Sequence, residues 1–190
     1  MLIAIVRRTL RDQRRSLVGW TLGLAALLLV EAALWPSVRD MAGLDELLAG
    51  YPEGMKELFN LDSMGTGIGF LNAELFTLVL PALFIGFGVA RGARLVAGEE
   101  ESGMIEVLLV TPLSTTMLYL GRAVGLFLSV FFLGGVVLGM TLLISVGFSM
   151  GVTPVDAAIG SLSLSLLGLE YGFVALAVGA MTAVERWLLQ

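Results

Sequence analysis

The stretch LYLGRAVGLFLSVFFLGGVVLGMTLLISVGFSM, residues 118–150, is apolar throughout and carries a single charged side chain, Arg122. As an α-helix rising about 1.5 Å per residue, it would be about 50 Å long. The hydrocarbon core of a bilayer is only about 30 Å thick. The stretch therefore predicts a membrane-spanning helix that begins outside the core or tilts strongly within it.

Three further apolar stretches, residues 17–35, 71–90 and 157–184, are each long enough to span a bilayer. Across the chain, 57% of the residues are hydrophobic and 14% are charged, against about 25% charged in an ordinary soluble domain. The mean hydropathy is +0.95. We therefore predict an all-α, polytopic membrane protein with about four spans, forming one transmembrane domain over residues 17–190.

The first 16 residues, MLIAIVRRTLRDQRRS, have the pattern of a basic amphipathic helix. At 100° per residue one arc of this helix is basic and the opposite arc is apolar. The basic face comprises Arg7, Arg8, Arg11, Arg14 and Arg15, and the apolar face Leu2, Ile3, Val6, Leu10 and Leu17. Such a helix lies well on an anionic membrane surface. No A-x-A-like cleavage site follows it, so we expect this segment to be retained.

The distribution of basic residues predicts the orientation, because cytoplasmic loops of membrane proteins carry an excess of Lys and Arg. With the N-terminus inside, the cytoplasmic side holds nine arginines and the outside only Arg39 and Lys56. The cytoplasmic set is Arg7, Arg8, Arg11, Arg14, Arg15, Arg91, Arg94, Arg122 and Arg186. This predicts a multi-pass protein of the cell membrane with both termini cytoplasmic, residues 36–70 external and residues 91–115 cytoplasmic.

Prolines and glycines predict the ends of the helices. Pro36 is expected to end the first span, and Pro81 to kink the second. In the external segment, helical spacing of apolar residues over 44–51 and 55–59 predicts two short amphipathic helices. A flexible turn is expected at residues 65–69.

Missing residue types exclude several chemistries. The chain contains no Cys and no His, so thiolate or imidazole metal sites and catalysis by these side chains are excluded. A P-loop requires GxxxxGK[ST], whereas the nearest match, Gly98–Gly103, is followed by Met104. We expect no catalytic, cofactor or metal site in this chain, which is therefore no enzyme by itself, and no nucleic-acid partner.

The predicted cytoplasmic loop, GEEESGMIEVLLVTPLS at residues 98–114, is the most informative segment for function. Ser102 can cap a short helix whose first turn carries Glu106 near the positive end of the helix dipole. Pro112 would end that helix, and Ser114 can cap the long helix that follows. The pattern fits either a docking element beside a carboxylate cluster or a solvated turn.

This loop resembles the cytoplasmic loop of type-2 ATP-binding-cassette (ABC) exporter permeases, whose pattern is GEE…GT-L-E-x-LL-x-x-P-x-S-R. The matching positions are Gly98, Glu99, Glu100, Gly103, Ile105, Glu106, Leu108, Leu109, Pro112 and Ser114. Met104 replaces the usual Thr, and Thr115 stands where the family has Arg. Family members usually have six spans, so four spans indicate a fragment, a chain completed by a second one, or a short variant.

The resemblance implies that the loop contains a coupling helix that docks on a separate ATPase subunit, which would hold ATP and Mg²⁺. The residues of this coupling loop are Glu99, Glu100, Glu101, Gly103, Ile105, Glu106, Pro112 and Ser114. By the resemblance, its four glutamates would be docking or hinge contacts. It further implies an exporter permease subunit that pairs with a second copy or a related permease chain within membrane lipids. The substrate is not readable from the sequence, although apolar spans favour lipophilic compounds.

Two other functions remain open: a secondary transporter or channel, and a membrane scaffold that only recruits a cytoplasmic partner. Glu170, near the centre of the fourth span, is a candidate intramembrane polar site, because a carboxylate there usually faces protein or water. It would either line a translocation path or bond, protonated, to a neighbouring helix.

The orientation predicts that positions 10 and 105 face the cytoplasm while positions 55 and 152 face outward. Single-cysteine variants at these positions, treated with a membrane-impermeant thiol reagent, should label from outside only at 55 and 152. The parent chain has no cysteine and provides the unlabelled control. External labelling at position 105 would overturn the orientation.

Overall fold

The computed structural model describes residues 2–43, 48–59, 63–100 and 115–188. Within these ranges the chain is helical, with short turns and no strand. The helices are α1 (Leu2–Arg39), α2 (Glu53–Phe59), α3 (Gly67–Leu71), a π-helix (Asn72–Phe76), α4 (Val79–Glu100), α5 (Thr115–Gly147) and α6 (Pro154–Leu188).

Three of these helices, α1, α5 and α6, are each long and apolar enough to cross a bilayer. The pair formed by residues 67–76 and 79–94 passes the same test together, with a bend of 42° between its halves. Counted as one broken span, this pair brings the number of spans to four. The predicted all-α, polytopic fold is therefore confirmed.

The bend lies at Thr77–Leu78, one turn before Pro81. Pro81 has no N–H to bond the carbonyl of Thr77, and its ring crowds that carbonyl. Thr77 itself bonds backward in π-helical register, its N donating to the Asn72 carbonyl at 2.9 Å. The predicted kink is present, but it falls before the proline. Beyond it α4 runs to Glu100, ten residues past the predicted end of the second span at residue 90.

The first helix is longer than the sequence predicts. The structure shows no boundary between the expected surface helix at residues 1–16 and the first span, because α1 runs unbroken through both. Pro36 lies inside α1, which ends only at Arg39. Pro36 lacks the N–H that would bond the Ala32 carbonyl, yet the helix continues past it, and the Asp40 N–H donates to the Pro36 carbonyl at 3.1 Å. The expectation that Pro36 ends the helix is therefore wrong by about one turn.

The end of α1 is marked by an exposed ion pair. The Arg39 guanidinium donates two hydrogen bonds to the Asp40 carboxylate, at 2.8 and 3.0 Å. These bonds hold the pKa of Asp40 below its ordinary value because they favour the charged form of the carboxylate.

The segment that follows contains one of the two short helices expected there. Helix α2 begins directly after Pro52, whose carbonyl accepts from the N–H groups of Met55 and Lys56. The other helix, expected over residues 44–51, lies partly outside the described residues.

The flexible turn predicted at residues 65–69 is instead a tightly capped helix start. Thr66 caps α3 by accepting from the Gly69 N–H at 3.1 Å. A Cβ at Gly67 would collide with the Met150 carbonyl, and one at Gly69 with the Ser63 carbonyl. Both glycines thus serve close backbone approach, and residues 67–69 belong to a helix rather than to the predicted turn.

The contacts divide the chain into two compact units. The first, named here the arginine-rich unit, comprises Met1–Val18, Leu83–Phe132 and Ser165–Gln190. The second unit comprises Gly19–Ala82 and Leu133–Leu164. Each is described below by itself.

In the arginine-rich unit, α4 and α6 approach each other through two glycine pairs. A Cβ at Gly88 would collide with the Gly168 carbonyl, and one at Gly92 with the Gly172 carbonyl. The residue numbers rise together on both helices, so the two run parallel. The GxxxG spacing therefore marks a real helix contact here, whereas at Gly135 and Gly139 an added Cβ would meet nothing within 4 Å.

This contact predicts opposite effects for the same substitution at two helical glycines. We expect Gly88→Ala to lower stability by about 1–3 kcal/mol, because backbone atoms of α6 cannot move aside. Gly135→Ala should be neutral or stabilising by up to about 1 kcal/mol, because alanine is the better helix former and the space around it is open. Thermal unfolding of both variants in detergent measures the difference, and equal stabilities would contradict the contact.

Candidate functional site

The predicted docking loop connects α4 to α5, and both helices contribute to the arginine-rich unit where they flank it. Glu99 and Glu100 form the last residues of α4. The other predicted residues of the coupling loop lie outside the described residues: Glu101, Gly103, Ile105, Glu106, Pro112 and Ser114. The coupling helix and its contacts therefore stay predictions.

Helix α5, which follows this loop, packs in parallel against α1. A Cβ at Gly121 would lie 2.6 Å from Ile5 Cγ2, and a Cβ at Gly125 would lie 2.7 Å from Thr9 Cγ2. One turn further along, Gln13 meets Ser129 in a buried hydrogen bond of 2.9 Å. Contacts every fourth residue on both helices fix the register of α1 against α5.

The Gln13–Ser129 contact is a polar link in an otherwise apolar interface. Both residues are buried, and Ser129 Oγ also lies 2.8 Å from the Gly125 carbonyl. A hydroxyl has one proton to donate. If Ser129 donates to Gly125, an amide orientation that turns the Gln13 NH₂ toward Ser129 satisfies both groups.

The face of α1 that packs on α5 is not the predicted apolar face. Ile3, which belongs to the apolar arc expected to lie on the membrane surface, is 82% exposed, whereas Gln13 is 4% exposed. Packing follows Ile5, Thr9 and Gln13 because Gly121 and Gly125 admit those side chains at short range. Sequence periodicity ranks residues by hydropathy, so it places a glutamine outside by default.

The predicted basic face is exposed on α1, as expected for a surface that meets lipid phosphates or a partner. All five of its arginines are exposed: Arg7, Arg8, Arg11, Arg14 and Arg15. Arg8 also lies 3.9 Å from Asp12, one turn along. Exposed pairs of this kind contribute about 0–1 kcal/mol to stability. Asp12 is one carboxylate beside five arginines, so the face stays strongly basic.

Two further arginines of this unit lie against aromatic rings. Arg122 is 5% exposed, and its guanidinium lies 5.7 Å from the Tyr119 ring centre. Arg91 lies 5.7 Å from the Phe87 ring centre. Both distances are within the range of cation–π attraction. The sequence marked these arginines only as orientation signals, and the burial of Arg122 was missed.

Glu170, the candidate intramembrane polar site, lies on the exposed side of α6. It is two residues from both Gly168 and Gly172, hence about 200° around the helix from the face that packs on α4. In the described part of the chain it makes no hydrogen bond. The expected bond to a neighbouring helix is therefore not made within that part. An exposed carboxylate in an apolar span needs another chain or water beside it.

The second unit contains a cavity that is lined in part by polar residues. The sequence did not single out these residues. The cavity has a volume of about 190 Å³, and its lining includes Asn72, Thr141 and Asp156. The hydroxyl of Thr141 is buried without a hydrogen-bond partner. No sequence signal joins these three residues, because they come from three separate segments.

Groups of three or more Asp, Glu, His or Cys residues able to hold a metal ion are absent from the described residues.

Comparison with known protein families gives one match. The model of a family described as "ABC-2 family transporter protein" matches residues 3–185. Searches of curated proteins and of solved structures found no match. The match extends over almost the whole chain and supports the resemblance seen in the loop. Together with the apolar spans of the fold, it shows that this chain belongs to the ABC-2 family of transporter membrane proteins.

Proposed function

We propose that this chain is the permease subunit of an ATP-driven exporter, coupled through residues 99–114 to a separate ATPase subunit. The observation that carries the proposal is the family match over residues 3–185. ATP and Mg²⁺ would bind the partner, and this chain would contribute the membrane path and the docking loop.

The arrangement of helices around the loop supports such coupling. Residues 101–114 join the end of α4 to the start of α5, so movement of a docked loop would pull directly on both helices. Gly88 and Gly92 hold α4 against α6, and Gly121 and Gly125 hold α5 against α1. A displacement at the loop would thus reach every spanning helix of the arginine-rich unit.

The proposed orientation places this unit in and beside the cytoplasmic leaflet. Its exposed arginines on α1 would contact anionic lipid head groups, each contributing about 1 kcal/mol near the surface. Such contacts would anchor α1 while α4 and α5 move with the ATPase.

We further propose that the chain pairs in the membrane with a second copy or a related permease. Only 17% of the most apolar 18-residue window of α1 is buried within the chain, and Glu170 on α6 is exposed. A second permease chain would cover part of this surface and provide surroundings in which Glu170 can be accommodated.

If the permease and the ATPase are separate subunits, only the ATPase should bind nucleotide. We expect the purified chain alone to show no ATP binding. Co-expression with the ABC-type ATPase subunit that partners it should give a complex that survives size-exclusion chromatography and hydrolyses ATP. The ATPase purified alone provides the reference rate. ATP hydrolysis by the chain alone, or failure of the two to associate, would contradict the proposal.

The loop is tested by charge reversal in that complex. Glu100→Lys and Glu106→Lys should each lower the ATPase rate or the association at least about tenfold, because like charges opposed at an interface cost several kcal/mol. Glu53→Lys and Glu57→Lys are the matched controls, since both positions are exposed on α2. These controls should behave as the parent.

Expression level and oligomer size separate loss of coupling from misfolding. If both loop variants assemble and hydrolyse ATP at the parent rate, the loop does not couple the subunits. The scaffold interpretation predicts a different result: normal association with the ATPase, but a rate equal to that of the ATPase alone.

A further inference from the structure

The cavity in the second unit has mixed walls, largely apolar with a few polar side chains. Its apolar lining comes from Ile68, Leu71, Phe76, Val152, Ala157 and Ile159, and its polar side chains are Asn72, Thr141 and Asp156. A volume of about 190 Å³ is smaller than the range of about 300–1,000 Å³ usual for drug-sized ligands. The cavity therefore suits a small molecule or the end group of a larger one.

The hydroxyl of Thr141 distinguishes this cavity from a simple packing defect. Hydroxyls in helices commonly bond the carbonyl one turn back, as Thr9 does to Ile5 at 3.0 Å and Ser129 to Gly125 at 2.8 Å. Thr141 is 1% exposed, yet its Oγ1 has no partner among the described residues. A buried hydroxyl left unpaired destabilises the folded chain, so a ligand that engages it would remove that cost.

Asp156 gives the cavity its charge. Thr153 Oγ1 donates to Asp156 Oδ2 at 2.6 Å and accepts from the Asp156 N–H at 3.2 Å. These bonds fix the carboxylate in the first turn of α6 and leave Oδ1 without a hydrogen bond in the described structure. Asp156 is the one charged residue among those that line the cavity, so the cavity favours a cation.

The π-helix contributes two side chains to the lining. Asn72 begins this segment and Phe76 ends it, and both line the cavity. The Phe76 ring lies against Gly160, where an added Cβ would meet Phe76 Cε1 at 2.8 Å. Single π-helical turns inside α-helices occur frequently at functional sites, and here the turn directs an amide and an aromatic side chain to one cavity.

From these four features we propose that this cavity is a binding site for an organic ammonium group carrying a short alkyl chain. The ammonium binds the free oxygen of Asp156 and is attracted to the Phe76 ring. A hydrogen donor of the ligand reaches Thr141, and the alkyl chain lies on the leucine and isoleucine side chains. An anion is excluded by Asp156. The site goes beyond the proposed function and requires no ATPase partner.

The ammonium could belong to a free amine or to a lipid head group such as phosphatidylethanolamine. Under the proposed orientation the cavity lies toward the outer leaflet, where both are accessible. The shared chemistry is the cation, and the competition step below distinguishes the two sources.

The probe is n-butylammonium, with 1-butanol as the neutral compound of matched size. Binding to the full chain in dodecyl maltoside micelles is titrated by saturation-transfer NMR, with empty micelles as the baseline. We expect saturable binding of butylammonium and at least about tenfold weaker binding of butanol, because bonds to charged groups are the stronger ones. Displacement by added phosphatidylethanolamine, but not by phosphatidylglycerol, identifies a lipid head group. Absence of displacement identifies a free amine.

Two isosteric variants test the residues separately. Asp156→Asn should weaken butylammonium binding at least about tenfold while leaving butanol unchanged. Thr141→Val should weaken it about three- to tenfold, and provides an independent test if loss of Asp156 disturbs the start of α6. Asp40→Asn is the matched control, because it removes a carboxylate of the same unit that does not line the cavity.

Thermal unfolding of each variant confirms that it is folded. The proposal is overturned if folded parent chain shows no saturable butylammonium binding, which would mean a cavity that holds only water. It is also overturned if Asp156→Asn and Thr141→Val both bind butylammonium as the parent does, or if Asp40→Asn weakens binding as much as they do.

Discussion

Helices in a bilayer gain little from the hydrophobic effect when they meet, because lipid tails are as apolar as leucine side chains. Close packing must therefore hold them together, and the closest packing in the arginine-rich unit is the contact of α4 with α6. There Gly88 and Gly92 lie against backbone atoms of Gly168 and Gly172. Leu126 of α5 packs on Gly172 at the same place, so α5 also contacts α6 there.

The same requirement explains where the polar side chains lie. In hydrocarbon an unpaired polar group is costly, so Gln13 and Ser129 are paired between helices and Ser145 accepts from the Val152 N–H at 3.0 Å. These links fix the register of apolar helices that could otherwise slide. Trp35 Nε1 and Thr141 Oγ1 are exceptions among the described residues, both buried without a hydrogen-bond partner. Thr141 lines a cavity, and Glu170, on an exposed helix face, is likewise accessible to another molecule.

Hydropathy and length were enough to predict the spans, and Pro81 was enough to predict a bend. Which helices pack together was harder to predict, because GxxxG spacing recurs along the chain. Only the tertiary structure shows that Gly88 and Gly92 contact another helix, while nothing lies within 4 Å of a Cβ at Gly135 or Gly139. The burial of Gln13 on α1 was not predicted, because its partner Ser129 lies far along the chain. The docking loop was identified from family resemblance alone. The cavity was missed because Asn72, Thr141 and Asp156 are each unremarkable in their own segments.

The hydrogen bond between Gln13 and Ser129 also constrains how the protein is made. Its two residues are 116 positions apart in the chain, and ribosomes add about 5–20 residues per second. For roughly 6–23 s after Gln13 is synthesised, the serine that will pair with it does not yet exist. During that interval the amide must be kept hydrated or shielded by the insertion machinery. The first helix to be made therefore completes its packing only after the third span has been inserted.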